Sequence, residues 1–181
     1  MNIRNRTLIL ALASLGILGA AATSSAQSTT VAQPIRIEIG GFFPTDTAVT
    51  STLRKAALYG GASYDMYKLG NGNNTMAGLY VDASYNSSGG LHLTQVGVGA
   101  QARVYSSTSS YGTFYFGGGV GAYFMNANGF FSSTNNTRVG GKVFVGIDLT
   151  QGFFVEGGYT LIGSVNGVNP SGFMAALGYR F

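Results

Sequence analysis

Apolar and polar side chains alternate along most of the chain that follows residue 26. Segments of about ten residues with a period of two recur between clusters of Gly, Asn, Ser and Pro, which is the pattern of β-strands. No window of this part holds the roughly 18 consecutive apolar residues that a transmembrane helix needs. The alternation predicts eight strands, over residues 35–43, 57–66, 77–85, 94–105, 113–124, 138–149, 153–162 and 172–181.

Each predicted strand has one apolar and one polar face, and the charges separate the two. Eleven charged side chains lie in or beside the strands, and Lys68 is the only one that departs from the polar face. The ten on the polar face are Arg36, Glu38, Asp65, Asp82, Arg103, Arg138, Lys142, Asp148, Glu156 and Arg180.

Two kinds of closed barrel show this period. The apolar face points inward in a soluble barrel of the lipocalin type and into lipid in a transmembrane barrel. Only 9% of the residues are charged, far below the roughly 25–35% typical of a soluble protein surface. Lipid also requires every backbone amide to be paired, so the sheet must close on itself. The sequence therefore predicts an all-β fold, an eight-stranded antiparallel up-and-down transmembrane β-barrel with its charges enclosed.

Aromatic residues and connection lengths give this barrel an orientation. Longer connections, over 44–56, 86–93, 125–137 and 163–171, are predicted on the outside, and shorter ones on the periplasmic side. Asp46 or Thr47 is predicted to cap a helical turn over residues 49–57. Aromatic girdles are expected at both rims, with Tyr64, Phe114, Phe153, Tyr179 and Phe181 at the lower one and Phe43, Tyr85, Phe124 and Phe173 at the upper one.

The first 26 residues have the composition of a secretory signal peptide. Arg4 and Arg6 precede an apolar run over residues 8–18, and Ser24 and Ala26 supply the small residues of a cleavage site. We predict cleavage after Ala26, a short periplasmic segment over residues 27–33 and a barrel over residues 34–181, with an uncleaved anchor as the alternative. Removing the two arginines lowers the formal charge from +4 to +2 and leaves no basic stripe, so no nucleic-acid partner is expected.

The chain resembles small bacterial outer-membrane β-barrels of the OmpX, OmpA-barrel or OmpW type. The resemblance rests on the leader, the eight amphipathic strands, the stretch IGGFFPTD at residues 39–46 and the final GYRF. It implies insertion into outer-membrane lipid. It also implies that Leu177, Tyr179 and Phe181 match the C-terminal signal read by the barrel-assembly machinery. The resemblance is architectural and carries no catalytic signature.

The predicted lumen holds five cations and five anions, so it is formally neutral. An eight-stranded barrel is just wide enough for side chains to fill it. The charges, joined by Tyr59, Tyr80, Tyr105, Tyr115 and Gln101, are expected to form a hydrogen-bonded plug rather than a pore. Glu38 and Arg180 are predicted to pair across the seam between the first and last strands. The alternative is that the charges line a wet lumen.

No enzymatic or metal chemistry is predicted. Barrels that resemble lipid A deacylase need a Ser nucleophile, a His base and an orienting acid. The single histidine, His92, has Thr94 where that family would show Ser, and no acid shares its phase. The chain has no Cys, and its carboxylates are scattered singly, so neither a metal nor a cofactor is expected.

Two functions therefore remain open at the level of sequence. The first is a structural or surface-interaction role in the outer membrane, with Phe130 and Phe131 as the candidate contact point for a surface ligand that the sequence does not identify. The second is a narrow channel or lateral-diffusion path for small solutes, as in OmpW-like barrels. A hydrophobic lumen would favour the channel, whereas this predicted lumen is charged.

Overall fold

The computed structural model describes residues 32–69, 74–109, 112–128, 134–165 and 167–181. Each strand pairs antiparallel with the next, and the first pairs with the last, so the sheet is a closed barrel in the order β1 to β8. This confirms the predicted fold class. The strands are β1 (Ile35–Pro44), β2 (Ala57–Leu69), β3 (Thr75–Ser88), β4 (Leu91–Ser109), β5 (Gly112–Asn128), β6 (Thr134–Asp148), β7 (Phe153–Ile162) and β8 (Gly172–Arg180).

The apolar face of the sheet is on the outside. Leu79, Val98 and Val145 are 51%, 41% and 64% exposed, whereas Arg36 and Phe154 on the opposite face are each 1% exposed. A soluble barrel would have the reverse arrangement. The alternation along each strand therefore gives the barrel an apolar exterior and a polar interior, as the sequence predicted.

One departure from the alternation has a local cause. The register between β2 and β3 shifts between Asp65 and Tyr67. At this β-bulge Met66 and Tyr67 both face outward, 38% and 40% exposed. An extra residue in one strand reverses the faces beyond it. Lys68 thereby returns to the luminal phase, which explains why it did not fit the pattern read from the sequence.

Several strands extend beyond their predicted ends. The predicted loop over residues 86–93 is instead the end of a hairpin, with a two-residue turn at Gly89 and Gly90, whose φ angles are +57° and +85°. The predicted loop over residues 125–137 likewise belongs largely to β5 and β6, which pair as far as Ala127 and Thr134. The alternation of apolar and polar residues stops at these points, but the backbone ladder continues through polar residues.

The connection between β1 and β2 contains a short helix, α1 (Thr47–Thr52), which begins two residues before the predicted turn and ends earlier. The Asp46 side chain caps it, accepting a hydrogen bond from the Ala48 amide at 2.8 Å. Val49 and Leu53 turn into the protein and are 2% and 6% exposed. None of the helices in the described part of the chain is long and apolar enough to cross a membrane.

Glycines on the luminal face stand beside large side chains. A Cβ atom added at Gly178 would collide with the ring of Phe154, and one added at Gly146 would collide with the hydroxyl group of Tyr115. The narrow barrel accepts these rings because the neighbouring positions have no side chain. Gly97, Gly117 and Gly140 also lie beside luminal rings.

Candidate functional site in the barrel lumen

The luminal charges lie between two ends of the barrel, which we call the terminal end and the loop end. At the terminal end the Phe181 amide donates to the carbonyl oxygen of Ile35 at 2.9 Å. The loop end carries α1 and the β3–β4 turn. Because alternate residues of every strand point inward, the polar faces of all eight strands converge on this one interior.

A cluster of three charges, which we call the seam cluster, lies near the terminal end where β1 meets β8. Arg36 and Arg180 are directly opposite each other in the register. Nη1 of Arg36 lies 3.0 and 3.3 Å from the two carboxylate oxygens of Asp148, and Nη1 of Arg180 also donates to Asp148. One carboxylate from β6 therefore bridges two guanidinium groups that face each other across the seam.

Tyr115 connects the seam cluster to a second group of charges. Its hydroxyl group accepts from Nη2 of Arg36 at 2.7 Å and donates to Oε2 of Glu156 at 2.9 Å. Nε of Arg103 lies 3.9 Å from the same Glu156 oxygen, and Nη1 of Arg103 lies 2.6 Å from Oδ1 of Asp65. Three cations and three anions thus form one buried and neutral network.

A separate ion pair lies nearer the loop end. Nζ of Lys142 is 3.4 Å from Oδ2 of Asp82 and 3.9 Å from the centre of the Tyr80 ring. The hydroxyl groups of Tyr80 and Tyr123 are 3.2 Å apart and share a hydrogen bond. Tyr123 is fully buried. This layer of the lumen is therefore filled by rings as well as by charges.

Glu38 does not pair with Arg180, so the seam pairing predicted from the sequence is wrong. The register sets Glu38 opposite Gly178, and its carboxylate accepts a hydrogen bond from the Tyr59 hydroxyl group at 2.9 Å. The long Arg180 side chain instead reaches Asp148 on β6. Inward side chains of a narrow barrel meet partners across the lumen, and adjacency at the seam does not reveal them.

Arg138 lies apart from the network. Its guanidinium group donates to the backbone carbonyl oxygens of Ser164 at 3.3 Å and Thr137 at 3.1 Å. These contacts place it at the loop end, beside the β7–β8 connection. Of the ten charges predicted for the lumen, four cations and five anions therefore lie inside it in the described structure.

Two aromatic residues of the lumen were not predicted to belong to the network. The ring centre of Phe154 lies 3.8 Å from the Cζ atom of Arg36, and that of Phe144 lies 5.3 Å from the Cζ atom of Arg103. A ring face attracts a guanidinium ion, and more strongly where water is excluded. The sequence does indicate their position, because Phe144 and Phe154 fall on the same face of their strands as the charged residues Lys142 and Glu156.

The described residues show neither a metal centre nor a catalytic triad. No group of three or more His, Asp or Glu side chains is placed to hold a metal ion in the part of the chain that the structure describes. The His92 imidazole contacts the Tyr85 hydroxyl group through Nδ1 at 3.0 Å, where a triad would have a carboxylate.

The residues matched to the C-terminal assembly signal face outward at the terminal end. Leu177 and Phe181 are 54% and 57% exposed. Tyr179 packs edge-on against Phe153 and Phe181, with ring centres 5.0 and 4.9 Å apart. Phe130 and Phe131, the predicted loop contact, lie outside the described residues. The predicted signal peptide also lies outside them.

Solved structures that share this architecture include three bacterial barrels. Neisserial surface protein A has a TM-score of 0.61 at 18% identity, covering 81% of this chain and 96% of that one. The Yersinia pestis outer membrane protein Ail, in a phospholipid bilayer nanodisc, has a TM-score of 0.52 at 16% identity, covering 82% and 99%. The N-terminal β-barrel domain of Pseudomonas aeruginosa OprF has a TM-score of 0.50 at 14% identity, covering 82% and 98%.

No protein-family model and no curated protein matches the sequence. Because the sequence identities to these three structures are all below 20%, the structural likeness shows a shared fold and nothing more specific. The chain therefore shares with these three proteins a closed eight-stranded β-barrel that spans nearly the whole length of each of them.

Proposed function

We propose that this protein is a non-enzymatic β-barrel of the bacterial outer membrane, with a closed lumen and a structural or surface-interaction role. Outer-membrane lipid and the barrel-assembly machinery are its proposed partners. Its loop end faces the outside of the cell. The machinery would read Leu177, Tyr179 and Phe181, whose side chains lie on the outer wall at the terminal end.

The outer wall supports residence in a membrane. The apolar side chains of Leu161 and Val143 on this wall are 64% and 63% exposed. Exposed apolar surface on this scale is costly in water and favourable in hydrocarbon. The closed sheet leaves no unpaired strand edge, which hydrocarbon would also penalise. Ail, which has the same fold, was solved in a lipid bilayer.

The observation that best supports a non-conducting role is the filled lumen. Rings and charged groups occupy successive levels between the two ends, and the largest of them are almost inaccessible. Tyr123 is 0% exposed, Phe154 is 1% exposed and Tyr115 is 2% exposed. A pore would expose the inward groups to water along its length, whereas these side chains contact one another.

Single-channel recording in a planar bilayer tests this role. The mature chain is refolded into vesicles, its insertion is verified by heat-modifiable migration, and a porin in the same bilayer shows that the assay detects channels. We expect no conductance steps from the wild type. The matched control changes Tyr115, Phe144 and Phe154 to Ala, which removes three luminal rings and should produce measurable current. Stable conductance steps from the wild type would favour the narrow channel instead.

The β5–β6 hairpin supports a surface-contact role. Phe124 lies at the aromatic rim, and β5 continues to Asn128, four residues farther. Four strand residues span about 13 Å, so the hairpin projects beyond the wall. We propose Phe130 and Phe131 as the contact point carried by this projection.

Accessibility of the hairpin tip can be measured with chymotrypsin, which cuts after aromatic residues. We expect added protease to cut the folded, vesicle-inserted protein after Phe130 or Phe131. The double substitution of these residues by Ser should abolish that cut. Protection of the wild type would show that the rings rest on the rim or on lipid and are not presented to a partner.

A further inference from the structure

We propose that a groove on the outer wall of β5, β6 and β7 binds one acyl chain of a phospholipid in the inner leaflet of the outer membrane. This inference rests on the proposed function, because it needs an outer wall in lipid and a terminal end that faces the periplasm. It goes further by naming the part of the wall that holds a lipid molecule in place.

The groove lies between outward side chains of three neighbouring strands and has a volume of about 440 Å³. It covers two successive levels of the wall, which are about 7 Å apart along a strand. At the level nearer the loop end, the register sets Phe116 opposite Val145, and Val145 opposite Gly157. The residues of both levels are Phe114, Phe116, Val145, Ile147, Val155 and Gly157.

Gly157 forms the floor of the groove. It has the outward phase of β7, and a Cβ atom added there would meet only the carbonyl oxygen of Met174 within 4 Å, at 3.7 Å. The space above this glycine is therefore open. Beside it, Val145 and Phe116 are 64% and 57% exposed and stand out from the wall. A glycine inside a strand often marks a place where another molecule approaches the backbone closely.

The two ends of the groove differ in chemistry. Toward the loop end, the next outward residue of β7 is Tyr159, whose ring packs edge-on against Phe173 with ring centres 4.9 Å apart. Toward the terminal end, the groove reaches Ser106, which lies in the register shift between Tyr105 and Thr108 of β4. A lipid chain therefore enters from the polar terminal rim, and its headgroup lies beside Ser106.

The groove suits a hydrocarbon chain better than a charged ligand or a polypeptide. β5 has no charged residue, and the charged residues of β6 and β7 have the luminal phase. The backbone of all three strands is paired on both edges along the groove, so an added strand would find no hydrogen-bond partner there. The groove is also continuous with the lipid-facing wall, since Val143 on the same face of β6 is 63% exposed.

A chain in the groove makes more contacts than a chain on the rest of the wall. On the flat wall it touches the tips of side chains, whereas here it contacts the backbone at Gly157 and the sides of Val145 and Phe116 at once. Dispersion attraction grows with the number of atoms in contact. We therefore expect this lipid to stay bound when detergent replaces the other lipid molecules.

The test measures this retention in detergent micelles, with a phospholipid whose acyl chains carry bromine, which quenches tryptophan fluorescence. The chain has no Trp, so F114W places a single reporter in the groove. L79W is the matched reporter outside it, since Leu79 is 51% exposed against 54% for Phe114 and pairs with Tyr64 near the terminal end. At a low fraction of brominated lipid we expect saturable quenching of F114W and at least about tenfold weaker binding detected by L79W.

Filling the groove should release the lipid. In the F114W background, G157L places an aliphatic side chain on the floor and should weaken binding about tenfold or more, because it displaces two or more methylene groups from their contacts. V155F narrows the groove from the side, should have the same effect, and replaces G157L if that variant does not fold. Unchanged lipid binding in a folded variant of either kind would overturn the groove.

G60L is the matched control for G157L. It places the same side chain on the outer wall of β2, where the added Cβ atom would lie 3.6 Å from its nearest neighbour. We expect it to bind the brominated phospholipid within about twofold of F114W alone. An equal loss in G60L and G157L would overturn the groove, because it would show a response to any added bulk on the wall.

Further outcomes exclude other occupants. A brominated fatty acid that quenches F114W as tightly as the phospholipid would overturn the phospholipid as the ligand. Rapid and complete disulfide cross-linking of V145C in vesicles would place a second copy of the chain in the groove and overturn the lipid. Equal quenching of F114W and L79W in a barrel that inserts into vesicles refutes only this inference. A chain that does not insert refutes the proposed function.

Discussion

The contacts of the seam cluster allow us to predict how much stability the substitution Asp148→Asn removes. Asp148 is the only carboxylate in the described structure that contacts both Arg36 and Arg180. The amide has nearly the same shape as the carboxylate but no charge. Arg36 and Arg180, which face each other in the β1–β8 register, would then lose their shared counter-ion.

The expected cost follows from the burial of the two cations. Breaking a buried ion pair by neutralising one partner costs about 3 to 5 kcal/mol. The Arg36 side chain is 1% exposed, so water cannot replace the lost partner, whereas the Arg180 side chain is 17% exposed and partly hydrated. The amide oxygen introduced by the substitution still accepts one hydrogen bond, which places the expected loss at the lower limit, about 3 kcal/mol.

Urea unfolding in lipid vesicles measures this loss, with heat-modifiable migration as the readout of folded protein. For a dependence of about 1 to 3 kcal/mol per molar urea, a loss of about 3 kcal/mol lowers the midpoint by roughly 1 to 3 M. The double substitution D148N/R180Q also removes one of the two cations that lose their carboxylate partner. Its loss of unfolding free energy should therefore be smaller than the sum of the losses for D148N and R180Q.

Glu38→Gln is the matched control, since it also neutralises one luminal carboxylate. Glu38 contacts Tyr59 but neither seam arginine, so the substitution should cost less than D148N. A midpoint for D148N equal to that of the wild type would refute the buried network. A larger loss for E38Q than for D148N would show that the seam is held by Glu38.

Three other substitutions test separate parts of the fold. Gly178→Ala should destabilise the barrel by about 1 to 3 kcal/mol through a collision with Phe154, while Gly60→Ala, where the added Cβ atom would lie 3.6 Å from its nearest neighbour, should be neutral in the same urea titration. Asn86→Ala removes two hydrogen bonds to the β1–β2 connection and should speed proteolysis of residues 45–56 in a time course. Val143→Arg should cost about 2 to 4 kcal/mol in phosphatidylcholine vesicles, because an arginine would face hydrocarbon.

The sequence predicted the faces of the strands better than their ends. β7 begins and ends at the predicted residues, 153 and 162, because lipid and lumen impose opposite chemistries along its whole length. β3 continues beyond its predicted end through Asn86, Ser87 and Ser88, where no lipid enforces the alternation. The pair Gly89–Gly90 was the available signal for a tight turn.

Partners in the lumen were not predictable from the sequence. Arg36 lies beside the seam in the register, yet its carboxylate partner is 112 residues away on β6. Side chains that point into one narrow interior can reach several strands. The choice between Glu38 and Asp148 as the partner of Arg180 depends on side-chain length and on the level of each residue along the barrel, and alternation specifies neither.

The main effect of the enclosed charges is to determine the register in which neighbouring strands pair. A buried ion pair adds little stability over apolar groups of the same volume, since desolvation offsets its attraction. A slip of β1 by one residue, however, would turn Arg36 and Glu38 toward lipid and Ile37 into the lumen. A cation turned to lipid costs about 2 to 4 kcal/mol at the middle of the bilayer and about 0 to 1 kcal/mol near its surfaces, so Lys142 on β6 would oppose a slip of its strand more strongly than Arg36 at the terminal end. Enclosed charged residues lie on every strand except β5. The charges therefore exclude slipped barrels, while the rings between them fill the lumen.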